Sequence, residues 1–438
     1  MIVSRAFAGK RYAVLGLARS GLATVECLAA SGAQVTAWDT REEAREAVAD
    51  KAVIADPLTI DLAGFDGVVV SPGVPLNRHP IRQHADAAGV PIIGDIELFA
   101  LARRCLPAHK VVGITGTNGK STTTALIHHI IEVAGIPTRM GGNIGLPILG
   151  QEPLPEGGIY VLELSSYQID LTFSLDCDVA VLLNITPDHL DRYDDFAGYC
   201  ASKARLFAMQ SAGHARVIAI DDAHTSAIAR SLRDVTEVHA SDISPADQER
   251  WPSLQGPHNA QNVAVARAVA RALGMKEETI ERGLATYASL PHRMQRVTKR
   301  GGVLYVNDSK ATNAASTAPA LAAYPPVNGQ PRVHWIVGGL AKTDNLDECA
   351  PWFGHVKHAY TIGEAGHMFA DLLRARMPVD DSEMLSAAVR RAARVAEPGD
   401  VVLLSPACAS FDQFRDFEAR GDAFVAAIAA LEEAGADG

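Results

Sequence analysis

The sequence predicts an α/β protein built from three units, each a mostly parallel, doubly wound sheet. Three observations lead there. Short apolar, strand-like runs alternate with helical runs, the pattern of a parallel sheet with helices on its faces. Residues 116–121 read Gly-Thr-Asn-Gly-Lys-Ser between a strand-like run and a helix-like run, which is a phosphate-binding loop. The chain has 438 residues, too many for one ordinary domain. The expected units are a Rossmann-like domain at 1–97, a central P-loop ATPase-like domain at 98–289 and a second Rossmann-like domain at 290–438.

In the first unit, Arg11–Leu17 reads as a strand and Gly21–Ala30 as a helix. Gln34–Trp38 is a second strand ending at Asp39, and Gly67–Val70 is another, ending in Ser71-Pro72-Gly73. Ligands of such sheets bind at the carboxyl ends of the strands. The turn from Gly16 to Gly21 suits a nucleotide-like ligand. A G-x-G-x-x-G fingerprint would require glycine where Ala18 stands, so an NAD site is not expected. Asp95–Arg104 reads as a helix bridging to the second unit.

The strand Lys110–Ile114 leads into the phosphate loop and the helix Ser121–Val133 leads out of it. Further strands are expected at Tyr160–Leu164, Val179–Ile185 and Val217–Ile220, with helices at Phe196–Met209, Asn259–Leu273 and Glu277–Tyr287. The third unit opens near Leu290, with strands Val303–Val306, Val333–Val337, Ala359–Ile362 and Val401–Leu404. There is no repeat at solenoid period.

Composition narrows the function. Apolar residues make up 48% of the chain, enough for large cores, and the net charge of −11 argues against nucleic acid as a partner. Six scattered cysteines with no C-x-x-C pair fit reduced thiols in a cytoplasmic protein better than disulfides or a zinc site. No signal peptide and no apolar run of membrane-spanning length are seen, so no membrane partner is expected.

The chemistry is expected at strand ends. In the loop Gly116, Thr117, Asn118, Gly119, Lys120, Ser121 and Thr122, the glycines let N–H groups turn toward phosphate oxygens, and the helix N-terminus adds its own donors. Lys120 supplies a point charge to the outer phosphates of ATP, and Ser121 a hydroxyl for Mg²⁺. The common longer loop would need glycine at Ile114, so this is a shorter form. Glu163 ends a strand facing the loop and suits Mg²⁺, since acids are depleted in buried parallel strands. Asn184, Asp188, His189 and Asp191 crowd the end of the next strand, where His189 suits a metal or a substrate. Lys203 reads as an ordinary solvated lysine, and Asn259 is as well read as a helix N-cap as anything else. Arg293, at the junction of the second and third units, suits a phosphate. Asn307–Asn313, Gly338-Gly339 with Lys342, and Ser405–Ser410 decorate successive strand ends of the third unit, as a substrate face would.

Taken together, these motifs resemble the Mur ligases, ATP-dependent amide-forming enzymes of peptidoglycan precursor synthesis. The resemblance covers nearly the whole chain. It rests on the strings at 94–99 (Gly-Asp-Ile-Glu-Leu-Phe), 142–147 (Gly-Asn-Ile-Gly-Leu-Pro), 162–168 (Leu-Glu-Leu-Ser-Ser-Tyr-Gln), 307–313 (Asn-Asp-Ser-Lys-Ala-Thr-Asn) and 404–414, besides the loop. It implies a monomeric enzyme joining D-glutamate to UDP-N-acetylmuramoyl-L-alanine, with ATP and two Mg²⁺ ions. It implies that Ser20, Asp39, Thr40, Arg41, Ser71 and Gly73 meet the uridine nucleotide, and that Asn143 and His189 meet the rest of that substrate. Arg19 departs from the apolar residue expected there and is left out of the set. ATP and magnesium would meet residues 116–122, Glu163, Asn262, Arg293 and Asp308. Lys203 would carry a carbamate that joins Ser121, Glu163 and His189 as a metal ligand. Lys310, Thr312, Lys342, Ser410 and Phe417 would hold D-glutamate. Rival readings are a ligase of the same superfamily with another amino acid, a folylpolyglutamate synthase-type enzyme, or a non-catalytic nucleotide-binding regulator.

Overall fold

Three sheets organise the described residues, 1–188 and 192–433, of the computed structural model. The first contains β1 (Arg11–Leu15), β2 (Gln34–Trp38), β3 (Val53–Ile54), β4 (Gly67–Val70) and β5 (Ile92–Ile93), in the order β3-β2-β1-β4-β5. The second contains β6 (His109–Thr115), β7 (Thr138–Gly142), β8 (Gly158–Glu163), β9 (Val179–Leu182), β10 (Ala215–Ala219) and β11 (Val235–Val238), in the order β11-β10-β9-β6-β8-β7. The third contains β12 (Gln295–Arg300), β13 (Val303–Asn307), β14 (Val333–Gly338), β15 (Val356–Ile362), β16 (Val379–Glu383) and β17 (Val401–Leu404), in the order β12-β13-β17-β14-β15-β16. All pairings are parallel except β12 with β13. Strand order reverses beside β1, beside β6 and around β17, and such crevices are where ligands of doubly wound sheets bind. The α/β expectation of parallel, doubly wound sheets holds.

By packing, the chain forms two compact units: Met1–Asp242 with Gln261–Leu284, and Ile243–Ala260 with Ala285–Gly438. The first unit carries the first two sheets. Strands β6, β8 and β9 are continuous apolar runs because helices cover both faces. One hydrophobic core joins the two sheets. Its link is the helix Asp95–Ala102, which buries Ile96, Leu98 and Phe99 and sets Phe99 edge-on against Tyr160 at 5.0 Å between ring centres. Both acidic residues of this helix, Asp95 and Glu97, are buried, and Glu97 has a structural task. Glu97 accepts hydrogen bonds from Phe173 N, Ser174 N and Ser174 Oγ, at 2.6, 2.9 and 2.6 Å.

In the second unit, one face of the sheet buries Trp335, Leu321 and Phe369, and the other buries Tyr360, Phe424 and Ile428. Strand β12 escapes a hydrophobicity reading because Gln-Arg-Val-Thr-Lys-Arg is charged. It is an edge strand, where lysine and arginine discourage pairing with other chains. Strand β7 escapes it because two of its five residues are glycine. A Cβ on Gly142 would lie 2.1 Å from the Glu163 carbonyl oxygen, so the close approach of β7 to β8 requires glycine there. Among the described residues no helix is long and apolar enough to cross a membrane.

Candidate active site

The phosphate loop joins β6 to the helix Lys120–Val133. Ile114 does not belong to the loop. It is fully buried in mid-sheet and pairs with Glu163 on one side and Val181 on the other. Shortening the loop thus leaves an apolar residue where the sheet needs one. Gly119 caps the helix with a φ of 83°, and a Cβ there would sit 2.5 Å from Asn262 Oδ1. That carboxamide oxygen accepts from Thr123 Oγ1 at 3.0 Å, so Asn262 braces the first turn of the helix. Lys120 Nζ donates to the carbonyls of Gly116 and Thr117 at 3.0 and 2.7 Å.

Asn184, just past β9, splints the loop. Its carbonyl accepts from Thr117 N at 2.8 Å, its Oδ1 accepts from Asn118 N at 2.8 Å, and its Nδ2 donates to Asn118 O at 3.1 Å. Tyr199 OH lies 3.0 Å from Thr117 Oγ1. The sequence singled out Asn184 at its strand end without a role, and did not single out Tyr199. The place of Asn184 at the end of the strand beside β6 was the available signal. Tyr199 lies within a helix and showed none.

Glu163 ends β8 and is buried. Its Oε1 accepts from Asn143 Nδ2 at 3.0 Å, whereas Oε2 is buried with no hydrogen-bond partner. A buried carboxylate oxygen without a donor is costly unless a cation completes it. With the Ser121 hydroxyl, this hard oxygen set fits Mg²⁺. Among the described residues no three His, Cys, Asp or Glu side chains converge as a metal cluster.

Lys203 overturns its solvated reading. It lies in the helix Phe196–Ala208 with 1% of its surface exposed, because that helix turns this face onto the phosphate loop. Its Nζ donates to Gly116 O at 2.8 Å and lies 4.6 Å from the Tyr199 ring centre. Burial, then the nearby Lys120 cation, push its amine down to about 7. Asn259 is not an N-cap. It lies inside the helix Pro257–Ala272, and its Nδ2 donates to Gln255 O at 2.9 Å. His189 and Asp191 lie outside the described residues.

At the first sheet, Ser71 Oγ donates to Gly16 O at 2.8 Å, joining the ends of β1 and β4. Asp39 accepts from Leu17 N and Arg41 N at 2.7 and 3.0 Å, and from the Arg41 guanidinium at 3.1 Å. Burial opposes its ionisation, but these donors prevail and hold the carboxyl down at about 2. Thr40 lies between Asp39 and Arg41, and its carbonyl accepts from Arg45 at 3.0 Å. Ser20 lies in the first turn of the helix Arg19–Ala30. Arg19 instead donates to Gly145 O at 3.1 Å, and Arg192 donates to Gly73 O at 3.1 Å, so both tie the first sheet's loops to those of the second.

In the second unit, Asp308 follows β13 and accepts from Ser405 Oγ at 2.8 Å and Met294 N at 3.1 Å. Arg293 keeps a buried Nη1 with no hydrogen-bond partner. Lys310 lies 5.4 Å from the Phe417 ring centre. Thr312 is half-buried, Lys342 is exposed and Ser410 is buried. The residue missed here is Arg420, 1% exposed, whose guanidinium donates to Ser309 Oγ, Ser309 O, Ala409 O and Cys408 O at 2.8–3.1 Å. It fastens the loop after β13 to the loop after β17, and its position inside a helix concealed that role.

Burial pushes the Asp308 carboxyl up to about 7, despite the hydrogen bond from Ser405. A carboxyl raised on folding costs stability as pH climbs above its unfolded value, and the cost is full above the folded one. The window is therefore from about 4 to about 7. Asp308→Asn is expected to melt higher than the parent at pH 8, with the gap closing as pH falls toward 4. A gap independent of pH would contradict this.

Comparison with known proteins agrees with this geometry. Residues 10–94 match the MurD-like N-terminal domain of Mur ligases, 114–252 the Mur ligase middle domain and 292–408 the Mur ligase glutamate ligase domain. The chain is 68% identical over 437 residues to a UDP-N-acetylmuramoylalanine–D-glutamate ligase of Novosphingobium aromaticivorans, covering 99% of this chain and 97% of the relative. It is 66% identical to the Sphingopyxis alaskensis enzyme of that name, covering 98% and 100%. In fold it is similar to the crystal structure of UDP-N-acetylmuramate-alanine ligase from Thermotoga maritima. The TM-score is 0.60 at 17% identity, over 96% of this chain and 99% of the other.

Proposed function

Because the chain belongs to the Mur ligase family, we propose that it joins D-glutamate to UDP-N-acetylmuramoyl-L-alanine by an ATP-driven amide bond, a step of peptidoglycan precursor synthesis. The observation that carries the reading is the buried Lys203 amine held 2.8 Å from the Gly116 carbonyl, beside a phosphate loop. An ordinary nucleotide-binding loop has no need of a second, buried lysine. In this reading residues 1–97 hold the uridine nucleotide, 98–289 hold ATP and 290–438 hold the amino acid. The enzyme acts as a monomer in the cytoplasm.

The alanyl carboxylate attacks the γ-phosphate of ATP, giving an acyl phosphate and ADP. The amine of D-glutamate then attacks the acyl carbon, and the tetrahedral intermediate collapses to amide and phosphate. Lys120 and the loop N–H groups neutralise charge on the transferred phosphoryl group. Ser121, Glu163, His189 and Lys203 would hold Mg²⁺, two ions in all, which supplies Lewis-acid neutralisation of phosphoryl and acyl oxygens when bound. Lys203 joins that set as a carbamate. Its amine, lowered to about 7, is substantially neutral near neutral pH and can add CO₂, losing a proton and presenting an anionic oxygen. Asn143 orients Glu163. In the same reading Arg293 and Asp308 meet ATP, and Lys342 matches the side-chain carboxylate of D-glutamate.

The test is phosphate release from ATP with UDP-N-acetylmuramoyl-L-alanine, with and without D-glutamate. Release is expected only when both are present, with amide product in equal amount by mass detection. Release driven equally well by another amino acid, or ATP binding with no acyl-dependent release, would remove this assignment.

A further inference from the structure

At the end of the third sheet opposite Asn307, Gly338 and Ser405, the second unit contains a cavity of about 410 Å³. It opens at the amino ends of β13, β14 and β17, and the segment from Glu249 to Gln255 forms its other wall. Three cations line it: Arg296 and Lys299 on β12, and Arg332 just before β14. Strict alternation along a strand would send residues 296 and 299 to opposite faces. The register of β12 against β13 shifts between Arg296 and Thr298, and that irregularity returns both to the exposed side while Val297 packs on the core.

Among the described residues, none of the three has a carboxylate within ion-pair distance, whereas Arg267 and Arg271 share Glu277 elsewhere on this chain. Asp400 also lines the cavity, and its Oδ2 is engaged by Lys357 Nζ at 2.9 Å, His334 Nε2 at 3.1 Å and Glu397 N at 2.9 Å, so its charge is answered by Lys357. Glu249 is the remaining acid of the lining. The cavity is thus locally positive on a chain of net charge −11. Holding three like charges together without an anion is unfavourable. The volume lies in the range of small-ligand sites, above that of a lone phosphate ion.

We propose that this cavity binds a phosphate-bearing anion, recognised by the Arg296 and Arg332 guanidiniums with Lys299 as a point charge. Its floor lies at the amino ends of β13, β14 and β17, and none of its lining residues is among those assigned to the reaction, so it is a separate site, although Arg296 itself pairs with Val306 beside Asn307. Arg296 also donates to Pro252 O at 3.4 Å, and the wall it holds runs directly into the helix Pro257–Ala272. An anion seated there would brace that segment against β12.

The test uses the full chain carrying Lys120→Ala, which removes the phosphate loop's own cation, titrated by calorimetry with inorganic pyrophosphate and, separately, with ribose 5-phosphate. Saturable binding is expected, weakened about tenfold or more by adding Lys299→Glu or, as a second variant on the same wall, Arg296→Ala. Tighter binding of the sugar phosphate would mark a phosphorylated metabolite as the occupant, and equal binding would mark free phosphate. No saturable binding, or affinities unmoved by both substitutions in folded protein, would overturn the site.

Discussion

Lys120→Ala is expected to lower D-glutamate-dependent phosphate release by about a thousandfold or more. The side chain is half-buried at the N-terminus of the helix Lys120–Val133, and its Nζ already bonds Gly116 O and Thr117 O. In the proposed reaction no other side chain of the loop brings a positive charge to the transferred phosphoryl group, and catalysis of this transfer is almost wholly electrostatic and positional. Stability should suffer little. The two lost hydrogen bonds are partly exposed, and each is worth about 1 kcal/mol net, so the melting temperature should fall by only a few degrees. Steady-state phosphate release and a melting curve on the same preparation check both halves. Near-normal turnover would remove the phosphate-transfer role, while a collapse of the melting curve would show that the lysine is needed for the fold.

The Lys203→Ala variant should be comparably inactive, for a different reason. The buried amine is held down at about 7 and sits against the loop carbonyl at 2.8 Å. Its proposed role is as the stem of an anionic carbamate, so truncation removes an oxygen ligand and leaves a cavity of side-chain size. A short carboxylic acid such as acetate can enter that space and supply the missing oxygens. Activity is therefore expected to return in part, rising with acetate concentration, whereas Lys120→Ala should not respond. Full activity without acetate, or none at any concentration in protein that melts normally, would argue against a carbamate at this position. The contrast between the two lysines separates a rescue of chemistry from a general effect of the salt.

Much of the fold could be read in the chain because its strands are short apolar runs and its helices follow them in strict turn. The strands beside the phosphate loop and the central strands of the two flanking sheets fall where those runs place them. Among the described residues six strands escaped: β3 and β5 are only two residues long, β11 and β16 are polar and largely unburied, and β7 and β12 have sequences that serve something other than burial. Edge strand β12 is charged against aggregation, and β7 gives up side chains so that Gly142 can lie against the Glu163 backbone. The candidate site divides in the same way. The loop, Glu163 and Asp308 announce themselves by residue type at a strand end. Tyr199 and Arg420 do not, because their work is to hold other residues in place through contacts far along the chain.

What the sequence determined by itself is the chemistry on offer: a phosphate loop with its lysine and serine, carboxylates at strand ends, and a polar face on the third sheet. Local order suffices for these, since a strand followed by a glycine-rich turn and a helix builds the loop from adjacent residues. Only the tertiary structure decided the electrostatic state of those groups. Lys203 is eighty-odd residues from the loop in sequence and looks like any surface lysine until its helix packs its face against Gly116. Glu163 becomes a carboxylate with one unsatisfied oxygen only when Asn143 takes the other. Burial and long-range partners set such properties, and neither is written in the residues that carry them.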